Sequence, residues 1–152
     1  MSTFYFFLQG IPESMGIIAI SLAVARVPFR WGYILLGGVL LDIVSYIIRS
    51  LPVTFGFHLP IMIFLFFIGL VRLTNVTASK AIIAVLTGFF ALALLEYCLS
   101  NAFFAYTHMD FEQAYANQSL WAAVGVVQAL ILNVIALVIS NFLKPGGGAW
   151  KI

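Results

Sequence analysis

Long runs of apolar residues fill most of this 152-residue chain, and short polar segments separate them. Continuous apolar runs of about 20 residues are typical of membrane-spanning helices, whereas the strands of a membrane barrel alternate in polarity. Five runs qualify, at residues 4–27, 31–49, 51–71, 81–106 and 120–143. The pattern predicts an all-α, polytopic integral membrane bundle of about five transmembrane helices over residues 1–144, followed by a flexible cytoplasmic tail at residues 145–152.

Prolines interrupt two of these runs. Pro12 predicts that the first helix either kinks or restarts, because proline lacks a backbone donor and clashes with the preceding turn. Pro52 and Pro60 interrupt the third run, whose unbroken part at residues 61–71 is too short to cross a bilayer alone. We expect a full helix kinked at Pro60, and a re-entrant segment is the alternative.

Composition excludes several classes of protein. The chain is 64% hydrophobic and 8% charged, which is incompatible with an ordinary soluble domain. Its net charge of +2 comes from dispersed residues, so we expect no nucleic-acid partner. The single Cys98 cannot form an internal disulfide or a cysteine cage, and we expect neither a metal nor a cofactor. No metalloprotease, serine-hydrolase or phosphate-loop motif is present, which predicts that the chain is not an enzyme.

The distribution of basic residues predicts the orientation. If the turn between the first two runs is cytoplasmic, only Arg49 of the seven Lys and Arg residues lies outside. The basic residues on the inner side are then Arg26, Arg30, Arg72, Lys80, Lys144 and Lys151. Because positive residues concentrate in cytoplasmic loops, we expect a multi-pass protein of a bacterial-type inner membrane, with its N-terminus outside and its C-terminus inside.

Three carboxylic acids lie inside the apolar runs: Glu13, Asp42 and Glu96. An ionisable group within a bilayer costs several kcal/mol, so such residues usually face the interior of a bundle or a wet cavity. From the helical rise, all three fall near the midplane or in the outer half of the membrane. These acids are therefore the strongest indication of a functional site.

Helical spacing places further polar residues beside these acids. On the second run, positions i, i+3, i+4 and i+7 hold Asp42, Ser45, Tyr46 and Arg49, which form one stripe. One outward-opening pocket shared by four helices is the simplest arrangement. The predicted ligand-binding, partner-binding or ion-relay residues are Glu13, Asp42, Ser45, Tyr46, Arg49, Glu96 and Gln128. Alternatively, these side chains only hydrogen-bond neighbouring helices, and Arg49 neutralises an acid or anchors at the interface.

Three short motifs carry a family resemblance. They are GIPE at residues 10–13, YIIRSLP at residues 46–52 and FGFH at residues 55–58. With the basic turn after the first helix, they resemble the membrane input regions of Gram-positive sensor histidine kinases. The resemblance implies a bundle that receives an external or intramembrane cue and passes it to a cytoplasmic kinase. These 152 residues contain no kinase domain, so we expect a stand-alone relative or a subunit of a larger complex.

Three functions from different classes remain open. The first is a non-catalytic sensory or accessory subunit that binds an unidentified small ligand or a partner helix in the polar pocket. The second is a small transport, ion-conducting or proton-relay subunit, in which the acids bind a cation or relay protons. The third is a structural subunit of a membrane complex. The expected partners are membrane lipid and either other membrane chains or further copies of this chain.

Overall fold

The computed structural model describes residues 3–52, 58–108, 111–143 and 150. These residues are helical almost throughout and contain no strand. The helices are α1 (Thr3–Val24), α2 (Trp31–Ser50), α3 (His58–Leu73), α4 (Ala78–Thr107), α5 (Phe111–Ala116) and α6 (Gln118–Phe142). Because a bilayer offers no partner for free backbone groups, helices are the form in which these apolar runs satisfy their own hydrogen bonds. The predicted all-α fold is confirmed.

Helix α1 is continuous and ends earlier than the predicted residue 27. It passes through Pro12 without restarting, so the restart alternative is wrong. At its end Arg26 has a positive φ of 59°, and the amides of Arg26 and Val27 donate to Ala23 O and Leu22 O. This pair of bonds is the usual left-handed termination of a helix and satisfies carbonyls that the helix itself leaves free.

Helix α3 differs most from the prediction. Among the described residues it begins at His58, so Pro60 lies in its first turn, and a kink at Pro60 relative to the preceding residues stays a prediction. Proline is tolerated there because the first amides of a helix have no intrahelical acceptor. Residues 53–57 of the predicted span lie outside the described residues, and Leu51 and Pro52 form a bend. Helix α3 has 16 residues, about 24 Å, which is short for a bilayer crossing.

The end of α3 nevertheless lies far from its beginning. Thr74, which follows α3, forms an isolated antiparallel backbone bridge with Trp150. The indole Nε1 of Trp150 donates to Pro28 O in the α1–α2 turn at 2.7 Å. By contrast, Leu59 near the start of α3 and Arg49 near the end of α2 line the same pocket. Helix α3 therefore runs from one end of the bundle to the other, unlike a re-entrant segment, which returns to the side it entered.

The segment between the fourth and fifth predicted spans contains a helix that the sequence pattern did not predict. Helix α5 is six residues long, Phe111–Ala116, and Glu112 lies in its first turn. The chain then enters α6 through Asn117, whose side-chain Oδ1 accepts from the Leu120 amide at 3.2 Å. An asparagine in this position satisfies one of the free amides of a helix start.

Helix α1 is the centre of the bundle. It packs most extensively against α6 and also against α2 and α4. Small residues permit the close approach: a β-carbon on Gly38 of α2 would lie 2.8 Å from Met15 Cγ, and one on Gly88 of α4 would lie 2.9 Å from Ile17 O. Gly38 and Gly88 thus allow α2 and α4 to pack closely against α1. The densest apolar core surrounds the C-terminal half of α1 and includes Ile20, Leu22, Ile34, Val85 and Leu132.

The outer surface of the bundle is apolar. Large hydrophobic side chains on every long helix are exposed, for example Phe90 at 67% and Val134 at 57%. A water-soluble monomer rarely exposes such continuous apolar surface. Four of the described helices, α1, α2, α4 and α6, are long and apolar enough to span a membrane, and α3 is a shorter apolar helix. The chain is therefore a multi-helix membrane bundle.

Trp150 packs against the bundle at the end opposite to the start of α1. Besides its bond to Pro28, its ring stacks on Tyr33 with centroids 5.6 Å apart, and the Arg30 guanidinium lies 5.4 Å from its ring centroid. Trp150 belongs to the segment predicted as a flexible tail, residues 145–152. The rest of that segment lies outside the described residues.

Candidate functional site

A polar pocket lies in the half of the bundle where α1, α3 and α6 begin and where α2 and α4 end. Its cavity volume is about 510 Å³, within the range of small-molecule sites. All five long helices contribute to its wall. The lining residues are Phe6, Gln9, Gly10, Glu13, Ser14, Ile17, Leu41, Asp42, Ser45, Arg49, Leu59, Met62, Phe89, Leu92, Ala93, Glu96 and Trp121.

The three intramembrane acids all line this pocket, each from a different helix. Glu13 comes from α1, Asp42 from α2 and Glu96 from α4. Glu13 experiences the charges of Glu96, Arg49 and Asp42, and its carboxylate is hydrogen-bonded to the Gln9 side chain. The half-buried stretch of α1 that carries Glu13 therefore lies between two further acids and one guanidinium.

Asp42 is the most enclosed of the acids, with 4% of its surface exposed. It lies against Gly10 of α1, and a β-carbon at Gly10 would overlap its carboxylate. Any larger residue at position 10 would force the Asp42 side chain to move. Within the described part of the chain, Asp42 Oδ2 has no hydrogen-bond partner. A buried acceptor without a donor is costly, which makes this oxygen a candidate hydrogen-bond acceptor for a ligand.

Arg49 supplies the only positive charge among the lining residues. Its guanidinium carbon lies 5.4 Å from the centroid of the Phe6 ring, a cation–π distance. Its charge acts on both Glu13 and Asp42. Ser45, one turn before Arg49 on the same stripe, is buried and also lines the pocket.

Two residues of the predicted site lie outside the pocket lining. Tyr46 is 40% exposed, and its ring lies 5.4 Å from the rings of Phe6 and Phe7 at the edge of the α1–α2 contact. Gln128 is buried on α6, one turn beyond Gly125, and is not among the lining residues. The pocket thus brings together five of the predicted residues: Glu13, Asp42, Ser45, Arg49 and Glu96.

The wall also contains residues that sequence patterns did not single out for the site. Leu59, Met62 and Phe89 are ordinary apolar residues of α3 and α4, and no sequence signal distinguishes them from lipid-facing neighbours. Gln9, which shares a face of α1 with Glu13, also lines the pocket. A β-carbon on Gly125 of α6 would overlap the Gln9 side chain, so Gln9 lies directly against the α6 backbone. Within the described residues its Oε1 is buried without a hydrogen-bond partner.

The acids do not form a metal-binding cluster. In the part of the chain that the structure describes, no group of three or more His, Cys, Asp or Glu residues could hold a metal ion. A second, apolar groove of about 430 Å³ lies between α4 and α6. It is lined by Leu99, Ala102, Phe103, Tyr106, Ala123, Val124 and Val127 and contains no charged residue.

Comparison with known proteins does not add to the site. No family model, no curated protein and no solved structure matches this chain. The resemblance of residues 10–13, 46–52 and 55–58 to sensor-kinase input regions stays a prediction, and residues 53–57 lie outside the described residues.

Proposed function

We propose that this chain is a non-catalytic sensory or accessory subunit of the membrane, and that its polar pocket receives a ligand or a partner group. One observation carries the proposal: Glu13, Asp42 and Glu96, from three different helices, line a single cavity, in which Asp42 is buried and Glu96 is exposed. Polar groups in membrane bundles are costly unless they are paired or face a functional cavity.

A purely structural role explains the pocket less well. Side chains that only hold helices together hydrogen-bond across the contact and leave little space between them. Here the acids surround a cavity of about 510 Å³, and Asp42 Oδ2 has no partner among the described residues. A cavity of this size with a few convergent polar groups is typical of a small-molecule site.

The position of the pocket relative to the basic residues indicates which side of the membrane it faces. The pocket lies at the end of the bundle where α1 begins, and the basic residues Arg26, Arg30 and Arg72 lie at or near the opposite end. With the positive end inside, the pocket faces the outer half of a bacterial-type inner membrane. Helix α1 lines the pocket and also forms the core beneath it. It therefore connects a ligand bound in the pocket to the inner end of the bundle.

The subunit would act with other chains, since a cue received in the membrane needs an effector. The similarity of residues 10–13 and 46–52 to sensor-kinase input regions supports a signalling context. The exposed apolar faces of α2, α4 and α6 offer surfaces for lipid, for a partner chain or for another copy of this chain. No nucleic acid is part of this proposal.

Ion conduction is the alternative, and the packing disfavours it. Conduction requires polar groups that continue across the bundle. Beneath the pocket, the fully buried side chains of Ile20, Ile34 and Val85 fill the interior. Flux through proteoliposomes that contain this chain alone would support conduction and contradict the sensory or accessory role.

Cysteine labelling tests whether the pocket is accessible from outside. In a Cys98→Ala background, we expect Ser45→Cys to react with a membrane-impermeant thiosulfonate applied to intact cells. Ser79→Cys at the start of α4, exposed at the opposite end, is the control and should react only in inverted vesicles. If Ser45→Cys reacts from neither side in the folded protein, the proposal of an outward-facing binding pocket is wrong.

A further inference from the structure

Two oxygen atoms in the pocket wall lack donors. Within the described residues, neither Asp42 Oδ2 nor Gln9 Oε1 has a hydrogen-bond partner, and both atoms are buried. Asp42 is 4% exposed and lines the cavity, as does Gln9. Both atoms are acceptors, so the group that complements this wall must supply N–H or O–H donors. A buried, unsatisfied acceptor forfeits free energy that such a donor would restore.

The charged residues that line the pocket indicate which charge the donor group carries. The lining residues include three carboxylic acids, Glu13, Asp42 and Glu96, and one guanidinium, Arg49. Arg49 is shared, because its charge acts on both Glu13 and Asp42. A cavity lined mainly by one sign of charge in a low-dielectric medium attracts the opposite sign. A cationic donor is the one that this set of lining charges favours.

The shape of the wall indicates an organic cation. No three acidic or other metal-ligating side chains of the described chain are close enough together to surround a metal ion. The cavity of about 510 Å³ is far larger than a bare ion and has aromatic walls from Phe6, Phe89 and Trp121. Aromatic faces bind cations and also accommodate an apolar body.

We propose, on the basis of the ligand-binding function above, that the pocket binds a small organic cation whose protonated amine lies at Asp42. The ammonium group donates to Asp42 Oδ2, and Gln9 Oε1 is a further acceptor in the same wall. Charge-assisted hydrogen bonds of this type are about twice as strong as neutral ones. The apolar body of the ligand lies against the aromatic wall.

Three probes of the same shape test the charge requirement. Benzylammonium, benzyl alcohol and benzoate differ in charge at pH 7. Each is titrated into the purified full chain in nanodiscs, with protein-free nanodiscs as the control for partition into lipid. Binding is followed by the shift in thermal unfolding and by ligand-observed NMR. We expect benzylammonium to bind at least about tenfold more tightly than either other probe.

Variants locate the binding in the pocket. Asp42→Asn should remove most of the preference for benzylammonium. Glu112→Gln, an exposed acid of α5 outside the pocket, is the matched control and should retain it. If Asp42→Asn does not fold, Gln9→Leu serves as the second variant. The relative affinities of the three probes for the parent protein then still test the requirement for a positive charge.

Several outcomes would overturn the inference. Equal binding of all three probes would exclude a charge-selective site while leaving the binding function intact. No binding of benzylammonium would also exclude it, and labelling of Ser45→Cys would then decide the binding function separately. Binding of a lysine-bearing transmembrane peptide in place of benzylammonium would exclude a small molecule as the ligand.

Discussion

Gly10 of α1 lies so close to Asp42 of α2 that a β-carbon on the glycine would overlap the carboxylate. The missing side chain at Gly10 thus makes room for the most enclosed acid of the pocket. One residue of the GIPE segment therefore serves the packing of two helices and the position of a polar group at the same time.

The first prediction concerns this contact. Gly10→Ala should lower the free energy of unfolding by about 1–3 kcal/mol, because the methyl group overpacks the α1–α2 contact. Unfolding in mixed micelles, followed by circular dichroism, measures the change. Asp42→Ala in the same protein should recover part of the loss, since it removes the atoms that the methyl group meets.

Gly69→Ala on α3 is the matched control, because a β-carbon there has nothing within 4 Å. This change should stabilise the helix or alter stability by less than about 1 kcal/mol. Equal effects of Gly10→Ala and Gly69→Ala would mean that helix propensity, and not contact with Asp42, determines the result.

The second prediction concerns the charge of Arg49. Arg49→Gln should destabilise the bundle, because Glu13 and Asp42 lose their shared positive neighbour. In a double-mutant cycle with Asp42→Asn, we expect a coupling energy of about 0.5–3 kcal/mol. Chemical unfolding of the parent, the two single variants and the double variant gives this value.

Arg72 at the end of α3 is the control for the cycle, because it is not among the pocket residues. Arg72→Gln and Asp42→Asn should be additive within about 0.5 kcal/mol. An additive result for Arg49 as well would place its guanidinium at the membrane interface, with no role in balancing the acids.

The third prediction concerns Trp150. Trp150→Phe removes the donor to Pro28 O and should cost about 1 kcal/mol. Trp150→Ala also removes the stack on Tyr33 and should cost about 1 kcal/mol more. Trp31→Phe, at the same end of the bundle, should change stability by less than about 0.5 kcal/mol. Identical unfolding of all three variants would contradict an anchored Trp150.

The fourth prediction concerns orientation. With six basic residues on the predicted inner side and one outside, a fluorescent reporter fused after Ile152 should mature in the cytoplasm. An alkaline phosphatase reporter inserted after Ala116 should be active on the external side. Phosphatase activity of a fusion after Ile152 would reverse the orientation and place the pocket in the inner half.

The polar stripe of α2 could be predicted because a helical period fixes which residues share a face. Asp42, Ser45 and Arg49 line the pocket as their spacing indicates. The same period does not fix how a helix is rotated in the bundle. Gln128 therefore looked equivalent to the other polar residues, although the rotation of α6 places it outside the pocket lining. Tyr46 lies at the margin of the stripe and contacts Phe6 and Phe7.

Features that depend on distant residues could not be predicted. Pro60 suits a kink and a first turn equally well, and no local pattern decides between them. The contact of Trp150 with Pro28 joins residues more than a hundred positions apart, so no local pattern contains it. The close approach of the Gln9 side chain to Gly125 also joins residues that are far apart in the sequence.

The short length of α3 affects the lipid around the protein. About 24 Å of helix lies beside neighbours built for a hydrocarbon layer about 30 Å thick. This hydrophobic mismatch is relieved when the bilayer thins locally, at a cost of fractions of a kcal/mol for each ångström. Leu59 and Met62, near the start of α3, also line the polar pocket. We therefore expect the thickness of the bilayer to act on the pocket through α3, so that lipid chain length changes ligand binding without any change in the protein.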